Sequence, residues 1–251
     1  MAKILIPLPN FDFDPTETAI PWKILTQHGH QIIFGTIDGT SAVADARMLS
    51  GKGLGPFQNL RANTIARTAY SEMYLDHNFK NPQKWHELQA ENFDAIILPG
   101  GHAPGMRPYL ESQILQKLIT NFFLENKIVG AICHGVVLVA RSKSAETGRS
   151  VLYGKKTTAL PKWMELSAWA MTCLWLGNYY RTYQQTVQDE ITANLANYKD
   201  FIIGPISFVR DSTANLQAGF VVEDGNYLSA RWPGDAHQFA EAINTKLSNG
   251  V

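Results

Sequence analysis

Little thiol, little charge and no long apolar run set the first limits on this chain. Cysteine occurs twice, at Cys133 and Cys173, in 251 residues. A chain of this size buries enough surface to fold without staples, so both are expected as free thiols in a reducing compartment. Lys plus Arg number 22 and Asp plus Glu number 22, a formal net charge of +0. That balance offers no basic footprint for nucleic acid. Charged residues are 18% of the chain against ~25% in an average soluble domain, and 45% are hydrophobic, so disorder is excluded and a sizeable core is expected. No stretch approaches the ~18 apolar residues of a membrane span. The apolar run at the N-terminus is too short for a signal peptide and meets polar Asn10 and Asp12 at once. A cytoplasmic protein with neither membrane nor nucleic-acid partners is expected. Also missing are a G-x-G-x-x-G, a P-loop, a His-Glu-x-x-His and a paired Cys-x-x-Cys, which removes support for nucleotide folds and common zinc sites. No metal is expected.

What is present alternates strand and helix signals. Lys3 to Pro7 is a short apolar run bounded by Pro and Asn, as in a buried first strand. A helix follows, with Asp14 as cap, Pro15 in its first position, and Ile20, Ile24 and Leu25 as its stripe. Gln31 to Thr36, Ala95 to Leu98 and Ile128 to Ile132 read as further buried strands, and Lys155 to Ala159 as another. A helix is predicted from about Ser112 to Glu125, a hairpin across Phe220 to Ala230 around Asp224-Gly225, and a closing helix over Asp235 to Leu247. This is the pattern of an α/β fold with a mostly parallel sheet. Length favours one domain, 1–251, with insertions at about 38–92 and 162–200. The second insertion concentrates Trp163, Trp169, Trp175, Tyr179, Tyr180 and Tyr183, which suits a pocket lining, a subunit interface or plain core packing.

The sharpest local feature is Val129-Gly130-Ala131-Ile132-Cys133-His134-Gly135, a strand that runs into a cysteine and then a small residue. Such a nucleophile elbow holds its side chain at the carboxyl edge of the sheet. The following N–H and helix dipole face developing negative charge, a field that favours thiolate. A buried structural cysteine is the alternative. Gly100-Gly101-His102 follows the neighbouring strand and supplies backbone N–H groups of the kind an oxyanion hole recruits, or simply a turn with a loop histidine. Glu17 is either the fourth residue of a capping box begun by Asp14, or a carboxyl at the reacting centre. Cys173 is expected to be a buried helix residue.

Together, Glu17-Thr18-Ala19-Ile20-Pro21, Leu98-Pro99-Gly100-Gly101-His102 and Ala131-Ile132-Cys133-His134-Gly135 resemble the DJ-1/PfpI superfamily, kin to class I glutamine amidotransferase domains. Ser229-Ala230-Arg231-Trp232-Pro233-Gly234 before the last helix resembles that family's ending. The resemblance implies a flavodoxin-like three-layer sandwich, often dimeric, and hence a possible homodimer. It implies Cys133 as nucleophile, Glu17 as the acid touching its sulfur, His134 as the adjacent histidine, and backbone N–H groups of Gly101 and His134 as the oxyanion hole. A small-molecule electrophile is the implied substrate and no cofactor is needed. Where several relatives carry a third histidine or acid, this chain has Ala159 and Lys162. Glu165 would then orient His134 or lie on a solvated helix face. The only histidine after His134 is His237, followed by Gln238 and Phe239, which argues against a glutaminase triad. The expected function is a cysteine-dependent hydrolase or lyase, with glyoxalase or deglycase chemistry as the form the resemblance implies. The alternatives are a redox sensor or holdase chaperone, and, below these, an amidotransferase-like subunit.

Overall fold

Short apolar runs separated by amphipathic segments assemble one twisted sheet with helices on both sides. The computed structural model describes residues 1–249. In chain order its strands are β1 (Lys3–Pro7), β2 (Phe11–Phe13), β3 (Gln31–Thr36), β4 (Val43–Ala44), β5 (Gln83–Lys84), β6 (Ala95–Leu98), β7 (Ile128–Ile132), β8 (Val221–Asp224) and β9 (Tyr227–Ala230). Its α-helices are α1 (Pro15–Gln27), α2 (Ala46–Ser50), α3 (Thr64–Met73), α4 (His77–Lys80), α5 (Arg107–Leu110), α6 (Gln113–Leu124), α7 (Gly135–Arg141), α8 (Lys162–Leu176), α9 (Val187–Thr192) and α10 (Ala236–Ser248). The main sheet runs β5-β3-β1-β6-β7-β9-β8, parallel except for the antiparallel β8–β9 hairpin. β2 and β4 form a separate small pair. All residues of β6 and β7 are buried, as expected of strands covered on both faces. α1 packs with α3 and α10, while α6 and α7 pack together and against β7.

The predicted strands at 3–7, 31–36, 95–98 and 128–132 and the hairpin around Asp224-Gly225 all form. Lys155 to Ala159 does not become a strand. Its only ladder contact is a bridge from Thr157 to Phe201, because side chains take over the pairing. Thr158 N donates to Ser229 Oγ at 2.9 Å, and Thr157 Oγ1 bonds Tyr227 Oη at 2.8 Å. Parts of 38–92 pack into the sandwich itself: α3 lies on α1, and β5 extends the sheet beside β3. Segment 162–200 holds α8 and α9. Only Glu165 and Thr172 of α8 are buried, and Cys173 is half-buried rather than buried, since α8 lies outside the main core.

The turn from β9 into α10 is fixed by a buried ion pair. Arg231 Nε and Nη2 each donate to Asp235 at 2.9 Å, and Arg231 N donates to the same carboxylate at 3.1 Å. Both side chains are fully buried, and among the described residues each is the other's ion-pair partner. This pair sets Trp232 and Pro233 as a wall of the cavity described next. Among the described residues no helix is long and apolar enough to cross a membrane.

Candidate active site

β7 ends at Ile132, and the chain turns sharply into α7 through Cys133, whose φ is 58°. A non-glycine residue at positive φ is strained, and here the surroundings hold it. Cys133 N donates to Ala230 O at 3.0 Å, and Val136 N closes onto Cys133 O at 3.3 Å. Gly135 is obligatory at this elbow, because a Cβ there would sit 2.0 Å from Leu98 O. The sequence-predicted elbow is therefore present, with Cys133 at the sheet's carboxyl edge and 5% exposed. Its side chain lines a cavity of about 550 Å³ with Glu17, Gly101, His102, Tyr180 and Arg210.

Glu17 sits here because α1 begins under the same sheet edge. Asp14 caps the helix by accepting from Thr16 N and Glu17 N at 2.7 and 3.0 Å. No reciprocal capping-box bond forms. Asp14 N instead donates to Gly100 O at 2.9 Å, and Gly100 N donates to Glu17 Oε2 at 2.7 Å. The loop after β6 thus takes the place of the capping box and turns the carboxyl toward the thiol. Gly100 must lack a side chain, since a Cβ would meet His134 N at 2.7 Å and Glu17 Oε2 at 2.8 Å. Glu17 is fully buried, and burial, reinforced by Asp14, raises its carboxyl well above the usual range. Oε2 is occupied as an acceptor. The proton of the neutral acid therefore belongs on Oε1, which is buried and has no hydrogen-bond partner among the described residues.

His134 Nδ1 lies 3.5 Å from Cys133 Sγ. Its tautomer follows from the next contact. Thr182 Oγ1 donates to His102 O at 2.7 Å, so at 3.1 Å from His134 Nε2 it has a lone pair to accept with. Nε2 carries the hydrogen, and Nδ1 presents a lone pair to the thiol. Arg107 holds the Thr182 loop through its carbonyl, with Nε and Nη2 donating at 3.1 and 2.6 Å. Burial, with smaller contributions from His102 and Arg141, pulls the His134 imidazole down to about 3, so it is neutral at neutral pH.

Burial also pushes the Cys133 thiol well up, aided by the Glu17 and Asp14 carboxyls. The His134 backbone N–H acts in the opposite direction and favours the anion. Burial thus opposes the thiolate that the elbow's backbone favours, and Cys133 has a base, His134, and an acid, Glu17, beside it. Among the described residues, Gly101 N makes no hydrogen bond.

Cys133, His134, Glu17 and the Gly101 backbone are thus brought together. Glu165 is neither on a solvated face nor bonded to His134. Its Oε2 accepts from Val187 N at 2.9 Å, and Oε1 pairs with Arg181 at 3.3 Å. Ala159 is buried, and Lys162 opens α8 with an ion pair to Asp189 at 2.8 Å. His237 pairs with Asp211 at 2.9 Å and does not line the cavity. His102, which reads equally as a loop histidine, is buried and stacked on Tyr180, with ring centroids 4.3 Å apart. Thr182 and Arg210 gave no sequence signal; each sits in an irregular loop far along the chain from Cys133.

The ThiJ/PfpI family-like profile matches residues 8–205. A glutathione-independent glyoxalase of Schizosaccharomyces pombe is 26% identical over 151 residues, 59% of this chain and 59% of that protein. The chain spans between half and six tenths of the length of the Schizosaccharomyces pombe relatives it matches. Among solved structures, the Rapid Encystment Protein 24 kDa of Francisella tularensis superposes with a TM-score of 0.70 at 18% identity, covering 98% of each chain. Glyoxalase III of Candida albicans superposes with a TM-score of 0.64 at 19% identity, covering 97% of this chain and 96% of that one. At these identities the structural likeness speaks to the fold.

Proposed function

Because this chain belongs to the ThiJ/PfpI family of the DJ-1/PfpI superfamily, we propose that it is a cofactor-independent, cysteine-dependent enzyme that converts 2-oxoaldehydes into 2-hydroxy acids. The observation that carries this reading is the thiol of Cys133 on a strained elbow, with a lone pair of His134 3.5 Å away and a neutral carboxyl beside it. The relative named as a glyoxalase supports the reaction class.

The residues divide the chemistry as follows. His134 Nδ1 takes the thiol proton as Sγ adds to the aldehyde carbon, forming the C–S bond. The His134 and Gly101 N–H groups favour the oxyanion. The imidazolium returns its proton to that oxygen, giving a neutral hemithioacetal. Neutral again, His134 removes the proton on the former aldehyde carbon while Glu17 Oε1 donates to the ketone oxygen, giving an enediol. The imidazolium of His134 delivers its proton to the adjacent carbon while the hydroxyl on the sulfur-bearing carbon gives its proton to the Glu17 carboxylate, which leaves a thioester and returns both side chains to their starting forms. Water then cleaves the C–S bond, releasing the 2-hydroxy acid and restoring the thiol. One substrate and one water are consumed, with no net redox change in the protein.

The His134 lone pair 3.5 Å from the sulfur favours this reading over a redox sensor, because sensing cysteines are solvent-accessible and Cys133 is buried. The test is product formation from methylglyoxal, followed as hydroxy acid by chromatography. Many turnovers per thiol, lost in Cys133→Ala, are expected. Consumption of one equivalent or less, or full activity in Cys133→Ala, refutes the proposal.

A further inference from the structure

The cavity around Cys133 is much larger than a three-carbon 2-oxoaldehyde requires. Such a molecule has five heavy atoms and, at roughly the 30 Å³ that a water occupies in the liquid for each, fills about 150 Å³. The cavity measures about 550 Å³, within the range of sites for larger ligands. Its lining is mostly apolar, with Leu160, Met164, Met171 and Phe208 exposed to it and Trp163 set edge-on to Phe208 at 5.4 Å.

The polar atoms of the lining are unusual in one respect. Trp163 Nε1, Tyr180 Oη, Trp232 Nε1 and Arg210 Nη1 are all buried with no hydrogen-bond partner among the described residues. Indole and guanidinium nitrogens can only donate. An unpaired buried donor costs about 1–3 kcal/mol, so a cavity that gathers several is complete only when a ligand brings acceptors. Arg210 adds charge. Its guanidinium lies over the Trp232 ring at 5.5 Å, its Nη2 donates to Arg61 O at 3.2 Å, and among the described residues no carboxylate lies within ion-pairing distance. Of the carboxyls in the lining beside the thiol, Glu17 is driven toward the neutral acid by burial, and Asp14 has its Oδ1 turned into the cap of α1, where it accepts from Thr16 N and Glu17 N.

We propose that the cavity selects an electrophile with a bulky, aromatic-sized apolar body and a carboxylate, the carboxylate being bound by Arg210 at the Trp232 side. This rests on the reaction proposed above for the reacting end, but the anchor itself is a matter of binding. It makes Arg210 a specificity-determining residue for the substrate class.

Two measurements separate the anchor from the reaction. In Cys133→Ala protein, tryptophan fluorescence titrations compare phenylacetate with its neutral counterpart phenylacetamide. The carboxylate is expected to bind about ten- to a hundredfold more tightly, the range for a charged hydrogen-bonded pair. In Cys133→Ala/Arg210→Gln that preference falls to near unity, and in Cys133→Ala/Arg210→Lys part of it survives, which also covers a Gln variant that fails to fold. Second, initial rates of wild-type protein on an aryl 2-oxoaldehyde with a para-carboxylate are compared with those on its methyl ester. The ratio of kcat/KM is expected to favour the acid and to collapse in Arg210→Gln. Equal affinities for acid and amide, or a preference that persists without Arg210, overturn the anchor. A binding preference without turnover of any oxoaldehyde leaves the anchor standing and removes the proposed reaction; turnover without a preference does the reverse.

Discussion

Thr182→Val tests how the base is set. The hydroxyl is almost fully buried between two groups, donating to His102 O at 2.7 Å and accepting from His134 Nε2 at 3.1 Å. Valine keeps the shape and removes both bonds, leaving a buried N–H on the imidazole without a partner. An orphaned buried donor costs about 1–3 kcal/mol, and nothing then opposes the tautomer with hydrogen on Nδ1. That tautomer presents an N–H to the sulfur and cannot accept its proton. The population of the competent form should fall about five- to a hundredfold, and kcat with it. Thermal stability should drop by about 1–2 kcal/mol at the same time. The direct assay is nitrogen NMR of His134 in labelled protein, which distinguishes the two tautomers. Wild type and Thr182→Ser should show hydrogen on Nε2, and Thr182→Val a mixture or the reverse. If Thr182→Val retains hydrogen on Nε2 together with full kcat, Thr182 does not position the base.

Three further outcomes follow from the same geometry. Glu17→Gln keeps an acceptor for Gly100 N but cannot transfer a proton, so kcat should fall about 10²–10⁴-fold in steady-state assays while the fold persists; a loss below tenfold would count against Glu17 as proton donor. Burial, against the Val187 N–H and Arg181, raises Glu165 from the ordinary 4.5 to about 7. A raised folded-state value means its contribution is fully present below the unfolded value and lost as pH rises through the folded one. The wild-type minus Glu165→Gln difference in unfolding free energy should therefore decline between pH 4.5 and about 7, by at most about 3 kcal/mol, and urea titrations at several pH values measure it. Arg231→Met leaves Asp235 buried without its partner, so urea unfolding should register a loss of about 3–5 kcal/mol, while Arg231→Met/Asp235→Leu recovers much of it.

The sheet was legible in the sequence because its central strands are continuous β-branched and Leu runs closed by Pro or Gly, and the elbow because Cys133 interrupts such a run before a glycine. Glu17 was ambiguous for a physical reason. Asp-x-x-Glu at a helix start suits a capping box equally well, and only the Gly100 loop, 83 residues away, diverts the carboxyl. The false strand at 155–159 has the composition of one, but its bonds go to the Ser229 and Tyr227 side chains. Thr182 escaped notice because its role depends on a contact 48 residues from His134, in a loop with no periodicity. Arg210 likewise lies in an irregular stretch, where neither burial nor neighbours can be read from local pattern.

The most direct test traps the covalent species. Wild-type protein mixed with methylglyoxal, quenched in acid within a turnover and digested, should yield the Cys133 peptide heavier by one substrate, absent in Cys133→Ala. On a longer incubation with limiting aldehyde that adduct should disappear as one equivalent of hydroxy acid accumulates per aldehyde consumed. An adduct that persists unchanged, or hydroxy acid formed with no adduct on Cys133, would contradict nucleophilic catalysis at this elbow.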